Sequence, residues 1–159
     1  MNDYDLVLLL AEKGVWAAVA TLGFAVLFNV PRYALPYCGL IGALGYALRF
    51  ALMRDGMGIV FATLLAALLI GILATALAQR FSVSGILFAV SPAIPMIPGS
   101  YAYRAVMGVV TVANSSSLEH GGELMLALDN AAKAMLTILF LSFGGALPGL
   151  VWSTLRRET

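Results

Sequence analysis

The sequence predicts an all-α fold, a polytopic membrane helix bundle forming a single integral membrane domain, with about five hydrophobic segments of which the fourth is broken. Three observations predict it. Of the 159 residues, 62% are hydrophobic and 11% charged, against roughly a quarter charged in soluble domains, and the mean hydropathy is +0.97. Runs free of formal charge recur at lengths matched to a bilayer core of about 30 Å, given about 1.5 Å of rise per helical residue. Finally, Pro92, Pro95 and Pro98, followed by Gly99, interrupt the apolar run 83–113 near its middle.

The first segment, 14–30, is closed by Pro31, and the second, 35–53, by Arg54-Asp55-Gly56. Both endings fit the residues that stop helices. The third, 57–79, carries no formal charge and is the plainest span. The broken fourth covers 83–113, and the fifth, 124–152, carries Asp129 and Lys133 early and Gly144, Gly145 and Pro148 late. Asp3, Asp5 and Glu12 stand where a signal peptide needs basic residues, so the first helix is expected to stay in the mature chain. Residues 114–123 read as an ordinary polar loop, with the lone His120 in it.

Orientation follows from Lys and Arg near the segment ends. Arg32, Arg80, Arg156 and Arg157 fall on one side, and Lys13, Arg54 and Arg49 on the other. This places the N-terminus outside and the C-terminus in the cytoplasm. A re-entrant fourth segment would instead leave four crossings, with both termini on one side.

The break is the first candidate for a working site. Each proline removes a backbone donor and clashes with the preceding turn, so the carbonyls of Phe88, Ser91 and Ile94 are expected to lose their helical partners. Lipid supplies no replacement, and unwound backbone at membrane depth persists only where protein buries it or where it lines a wet cavity, as in transporters that hold small solutes. Ser100 is placed to cap a second half-helix starting at Tyr101, whose bare N–H groups and positive dipole end suit a carboxylate. Pro95, Pro98, Gly99, Ser100 and Tyr101 are thus candidate substrate-binding residues. The plainer reading is a proline kink satisfied by Tyr101, Tyr103, neighbouring helices and water.

Six further positions carry chemistry. Arg104 lies one turn beyond Ser100 and can clamp a carboxylate bidentately, or else snorkel to the interface. Arg49 sits inside the end of the second segment, with Gly42 and Gly45 before it. An intramembrane arginine is a functional hypothesis by default, and snorkelling past Arg54 is the alternative. Asp129 and Lys133, spaced i, i+4, either neutralise each other or relay protons. Asn130 and Asn29 can each hydrogen-bond a solute, the plainer readings being an interhelical bond for the first and a helix C-terminal amide for the second.

Small residues at every fourth position, Gly39, Ala43, Ala47 and Ala51 on the second helix and Ala67, Gly71 and Thr75 on the third, mark faces for close packing. The single cysteine, Cys38, excludes an internal disulfide and reads as a packing residue. A formal charge of +1 gives no basic face for nucleic acid. The sequence contains no HExxH, Cys or His cluster, G-x-S-x-G or phosphate-binding glycine loop, so it offers no enzyme signature, metal or cofactor.

Phe28-Asn29-Val30-Pro31, the Gly42-x-x-Gly45-x-x-x-Arg49 spacing, and Ile94-Pro95-Met96-Ile97-Pro98-Gly99 with Tyr101 and Ala102 resemble the threonine/serine exporter family. Within it the chain looks like the small stand-alone (YjjB-like) subunit, which corresponds to the C-terminal half of the fused form. The likeness runs in order from about Phe24 to Trp152. It implies a bacterial inner-membrane exporter of small carboxylic solutes, either threonine and serine or succinate-type dicarboxylates, that needs a larger membrane subunit carrying the other half. It also implies roles for Asn29, Arg49, Pro95, Pro98, Gly99 and Asn130; Asp129 and Lys133 belong to no family pattern. The expected reading is a proton-driven, two-component exporter that binds a small anionic or zwitterionic solute at the broken helix. Two rivals stand beside it: a structural assembly subunit that binds no solute, and a homo-oligomeric pore.

Overall fold

A computed structural model describes residues 3–81, 84–114 and 121–155; His120 and the pair Arg156 and Arg157 lie outside the described residues. Among the described residues six α-helices follow one another: α1 (Asp3–Leu27), α2 (Leu35–Arg54), α3 (Ile59–Phe81), α4 (Gly85–Ala93), α5 (Gly99–Asn114) and α6 (Gly121–Leu155), with a 3-10 turn, Ile94–Met96, between α4 and α5. No strand occurs among the described residues. Among the described residues four helices are long and apolar enough to cross a membrane, and the bent pair α4 and α5 makes a fifth span if it crosses as one.

Helix α1 begins at Asp3, well before residue 14. It ends in a left-handed cap. Asn29 has φ 56°, the Val30 amide donates to the Ala25 carbonyl at 2.9 Å and the Asn29 amide to the Val26 carbonyl at 3.0 Å. Asparagine is among the few side chains that tolerate this backbone. The fifth segment is one continuous helix of 35 residues. At about 1.5 Å per residue it is roughly 52 Å long, so within a core of about 30 Å it must tilt, bend or project.

Lipid tails are as apolar as leucine, so packing of small residues rather than the hydrophobic effect holds such helices together. The small-residue faces behave accordingly. A Cβ at Gly71 would stand 2.7 Å from the Gly145 carbonyl oxygen and 2.9 Å from that of Gly144, and one at Gly144 would meet Ala67 Cβ at 2.8 Å. Helices α3 and α6 therefore touch backbone to backbone. On α2, Gly39 packs on Leu22 and Gly42 on the fully buried Thr21 of α1, while Ala43 lies over Gly14. The core collects Ala25, Cys38, Ile41, Ile70, Phe88 and Met96 where α1 to α4 converge.

The fourth segment breaks later than its first proline. Pro92 lies inside α4, and the helix gives way only at Pro95 and Pro98, with α5 resuming at Gly99. The deflection is 52°, which redirects the chain without reversing it. A Cβ at Gly45 would stand 2.7 Å from Ile70 Cδ1 and 2.9 Å from Met96 Cε. Gly45 is at the middle of the 20 residues of α2 and Ile70 at the middle of the 23 of α3. The break therefore lies at mid-depth of both full-length helices.

Candidate functional site

The centre of the break is an arginine bonded to a carbonyl. Arg49 is only 8% exposed, and its Nη1 donates to the Met96 carbonyl oxygen at 2.7 Å. In an unbroken helix that oxygen would accept from the amide of Ser100, four residues on. Pro98 and the bend prevent this. The Gly99 amide turns to the Ile97 carbonyl at 2.9 Å, and those of Tyr101 and Ala102 both reach the Pro98 carbonyl at 3.1 Å. Among the described residues no backbone acceptor faces the Ser100 amide.

Two groups of positive character result: a guanidinium, and a bare N–H at the dipole end of a 16-residue helix. Arg49 Nε is buried with no partner, and no carboxylate pairs with this arginine among the described residues. Snorkelling is ruled out for Arg49 by its burial. The side chain's charge stays inside because a backbone oxygen freed by the break receives it, and an arginine beside such an oxygen can take an anion on its remaining donors.

The helix resumes at Gly99, so Ser100 lies in the first turn and does not cap; the Pro98 carbonyl occupies the capping role expected of its side chain. Pro98 is buried and Pro95 half-buried, but Ile97, Gly99 and Ser100 are exposed, and nothing lies within 4 Å of a Cβ at Gly99. The break is thus open on one side of this chain.

From the break, α5 leans on α6 in an antiparallel seam. Tyr101, half-buried, lies close enough to interact electrostatically with both Arg49 and Lys133, and Tyr46 with Arg49 as well. One turn further out, Arg104 and Asn130 face a cleft of about 180 Å³ together with Gly108, Thr111, Glu123, Leu126 and Ala127. A Cβ at Gly108 would stand 2.7 Å from Ala127 Cβ, so the helices are in contact at the floor of this cleft. Asn130 spends one donor on its own helix, Nδ2 to the Leu126 carbonyl at 2.8 Å. Lys133 Nζ bonds Asp129 Oδ2 at 2.6 Å, with the two side chains 44% and 51% exposed.

The structure therefore brings Arg49, Tyr101, Lys133 and the 95–100 backbone together, and Arg104 with Asn130 beside them. It does not bring Asn29. That residue is exposed at the opposite end of α2 from Arg49, and its work is the left-handed cap that closes α1. Asp129 and Lys133 form an exposed i, i+4 ion pair on α6. Cys38 is a buried free thiol in the packing of α2. Among the described residues no group of His, Cys, Asp or Glu can hold a metal ion.

Three participants escape the sequence reading. Met96 enters as a carbonyl, and no side-chain chemistry announces that. Thr21 and Thr137 are fully buried with unpartnered hydroxyls; Gly42 signals that something approaches α2 closely, but not that a threonine does.

Fold and site define a polytopic membrane protein with a discontinuous helix at mid-depth, the architecture of small-solute transporters. Residues 13–151 match the threonine/serine exporter (ThrE) family, and the chain belongs to it. That makes it a multi-pass member of a family of membrane exporters. No solved structure matches it.

Proposed function

We propose that this chain is one subunit of a two-component exporter of small carboxylic metabolites in the bacterial inner membrane, and that solute binds at the break. The observation that carries this reading is the bond from Arg49 to the Met96 carbonyl at mid-depth, in a break that also leaves the Ser100 amide without a backbone acceptor among the described residues. A carboxylate satisfies both. The substrate class is threonine and serine, or a succinate-type dicarboxylate whose second carboxylate finds Arg104.

The same geometry supports a larger partner subunit. Gly99 and Ser100 are exposed on this chain at a depth where lipid cannot pair a backbone amide. A partner that covers this face supplies the other wall of a wet cavity. The fourth segment crosses as one broken span, since its bend of 52° keeps α5 heading toward the far side. With Arg49 withdrawn into the bundle, Lys13 and Arg54 remain opposite Arg32, Arg80, Arg156 and Arg157 in the sequence, and the N-terminus lies outside. The proton gradient is the energy source, and the Asp129–Lys133 pair is the coupling group: an arriving carboxylate draws Lys133 away, and Asp129 takes a proton.

Export of labelled threonine and succinate is measured from cells making this chain with and without the larger subunit. Export of at least one solute, dependent on both chains, is expected; export of neither overturns the reading. Pro98→Ala with Gly99→Ala separates the rivals. A transporter loses flux while still assembling, an assembly subunit keeps function, and a homo-oligomeric pore conducts when the purified chain alone is placed in liposomes.

A further inference from the structure

We propose that the α5–α6 seam is a hydrated half-path joining the break to one face of the membrane, with the Arg104–Asn130 cleft as a separate waiting station for a carboxylate-bearing solute. The proposal rests on the reading of the break as the solute site and adds the route by which that site communicates with water.

The helix faces carry the argument first. On α5, residues 101, 104, 108 and 111 recur at spacings of three and four and so share one stripe. On α6 the facing stripe is 123, 127, 130 and 133 or 134. The geometry pairs them in a constant antiparallel register: Arg104 and Asn130 in one cleft, Gly108 on Ala127, and Thr111 with Glu123 in the same cleft, with Tyr101 close enough to Lys133 for electrostatic interaction at the inner end. Polar groups thus stand at three of the four turns of this seam, with Gly108 and Ala127 in contact at the other. In the α3–α6 seam, by contrast, the closest approaches are made by Ala67, Gly71, Gly144, Gly145 and Pro148, with Thr75 beside Gly149.

The track has two ends. Tyr101 interacts with Lys133 on one side and Arg49 on the other, which makes it the link between seam and break. The other end is set by chain direction. Gly85 lies beside Ala78, and Met96 beside Ile70 at the Gly45 contact, so α4 runs antiparallel to α3 from its C-terminal end to its middle. Deflected by only 52°, α5 continues toward the end of α3 where it begins. The mouth at Thr111 and Glu123 therefore opens on the side of Arg54 and Lys13, away from Arg32 and Arg80.

Space and charge fit a small solute. The cleft of about 180 Å³ corresponds to about six waters at liquid density. Arg104, exposed on α5, offers a fork for a carboxylate, and the Asn130 side-chain oxygen remains available beside it. A solute leaving Arg49 passes from a buried guanidinium to a more hydrated one one turn beyond Tyr101, which favours release outward.

The test is thiol accessibility in the full-length chain in its native membrane with the larger subunit present. In a Cys38→Ser background, which removes the single native thiol, Arg104→Cys and Asn130→Cys are compared with Leu128→Cys, whose native side chain is 56% exposed on α6 beyond this cleft. The probe is an impermeant, negatively charged methanethiosulfonate applied from each side. A hydrated seam ionises its thiols and lipid does not, so positions 104 and 130 should react at least about tenfold faster than 128, and only from the side of Arg54. Equal rates at all three positions, or reaction from the opposite side alone, overturn the half-path. The readout needs no transport, so a chain that labels as expected but exports nothing keeps the path and loses the function. One that exports with a silent seam loses the path alone.

Discussion

Along its C-terminal half α6 meets α3 through backbone and small side chains, whereas along its N-terminal half it meets α5 through an arginine, an asparagine and a tyrosine facing a lysine. The first seam brings a Gly71 Cβ position within 2.7 Å of a carbonyl oxygen and flanks a largely apolar cleft of about 470 Å³; the second touches at Gly108 and Ala127 and leaves a smaller cleft of about 180 Å³ lined by Arg104, Asn130, Thr111 and Glu123. Close approach in lipid is a source of stability because contact is the main attraction available. An open polar seam gives up that attraction and can persist only where water, solute or another subunit occupies it. One helix thus divides the molecule into a half that holds its shape and a half that can work. The break at 94–98 is the joint between them, since α4 packs on α1, α2, α3 and α6 while α5 leans on α6.

The strongest way to break this division is to widen the locked seam. Gly71→Leu and Gly144→Leu each drive a side chain into a neighbouring backbone at 2.7 to 3.0 Å. Where one extra methylene in a packed site costs about 1–3 kcal/mol, four heavy atoms should prevent assembly, read as loss of the monodisperse fraction in mild detergent. Gly99→Leu is the matched control, because nothing lies within 4 Å of its Cβ, and it should recover like the wild type. Equal loss in both would end the comparison.

Next in size is Arg49→Ala. It strips the buried Met96 carbonyl of its donor, a loss of about 1–3 kcal/mol, and lowers Tm. Flux should vanish. Arg49→Lys separates the two roles: an ammonium can still reach a carbonyl but cannot offer a fork, so Tm should recover while KM for export stays raised. Recovery of both would reduce Arg49 to a structural donor.

Much of this division is legible from the residues. Four-residue spacing of small side chains on α2 and α3 predicts close faces, and the structure uses both. Pro95, Pro98 and Gly99 predict where the fourth span breaks, because a missing donor and a fixed φ act locally. What stays hidden depends on three dimensions. Arg49 is 47 residues from the carbonyl it meets, and its depth in the sequence is equally compatible with snorkelling. Asn29 shows the plainer of two readings, a helix-ending amide, in place. An asparagine before a proline reads as a polar site or as a helix stop, and its left-handed backbone makes it the stop, at the opposite end of α2 from Arg49. The pairing of α5 with α6 requires knowing that residues 115–120 join two antiparallel stripes, which neither stripe alone reveals.

A smaller effect sharpens the open half. Gly108→Ala places a methyl 2.7 Å from Ala127 Cβ and should push α5 off α6, with Ala127→Gly restoring the fit. For residues in contact the coupling in a double-mutant cycle falls at about 0.5–3 kcal/mol. A cycle in detergent Tm that closes additively would mean that the two helices are not held at this register.

The smallest effect on stability, and the sharpest on function, belongs to Asp129→Asn. The pair it forms with Lys133 is bonded at 2.6 Å, but both side chains remain close to half exposed, and solvent screens such a pair. Tm should not move. If Asp129 accepts the proton when a carboxylate draws Lys133 toward Tyr101, the amide variant exchanges labelled solute across the membrane but no longer accumulates it against a gradient when a pH difference is imposed. Unaltered pH-driven accumulation would return the pair to a surface contact and leave the open seam with binding groups but no coupling group of its own.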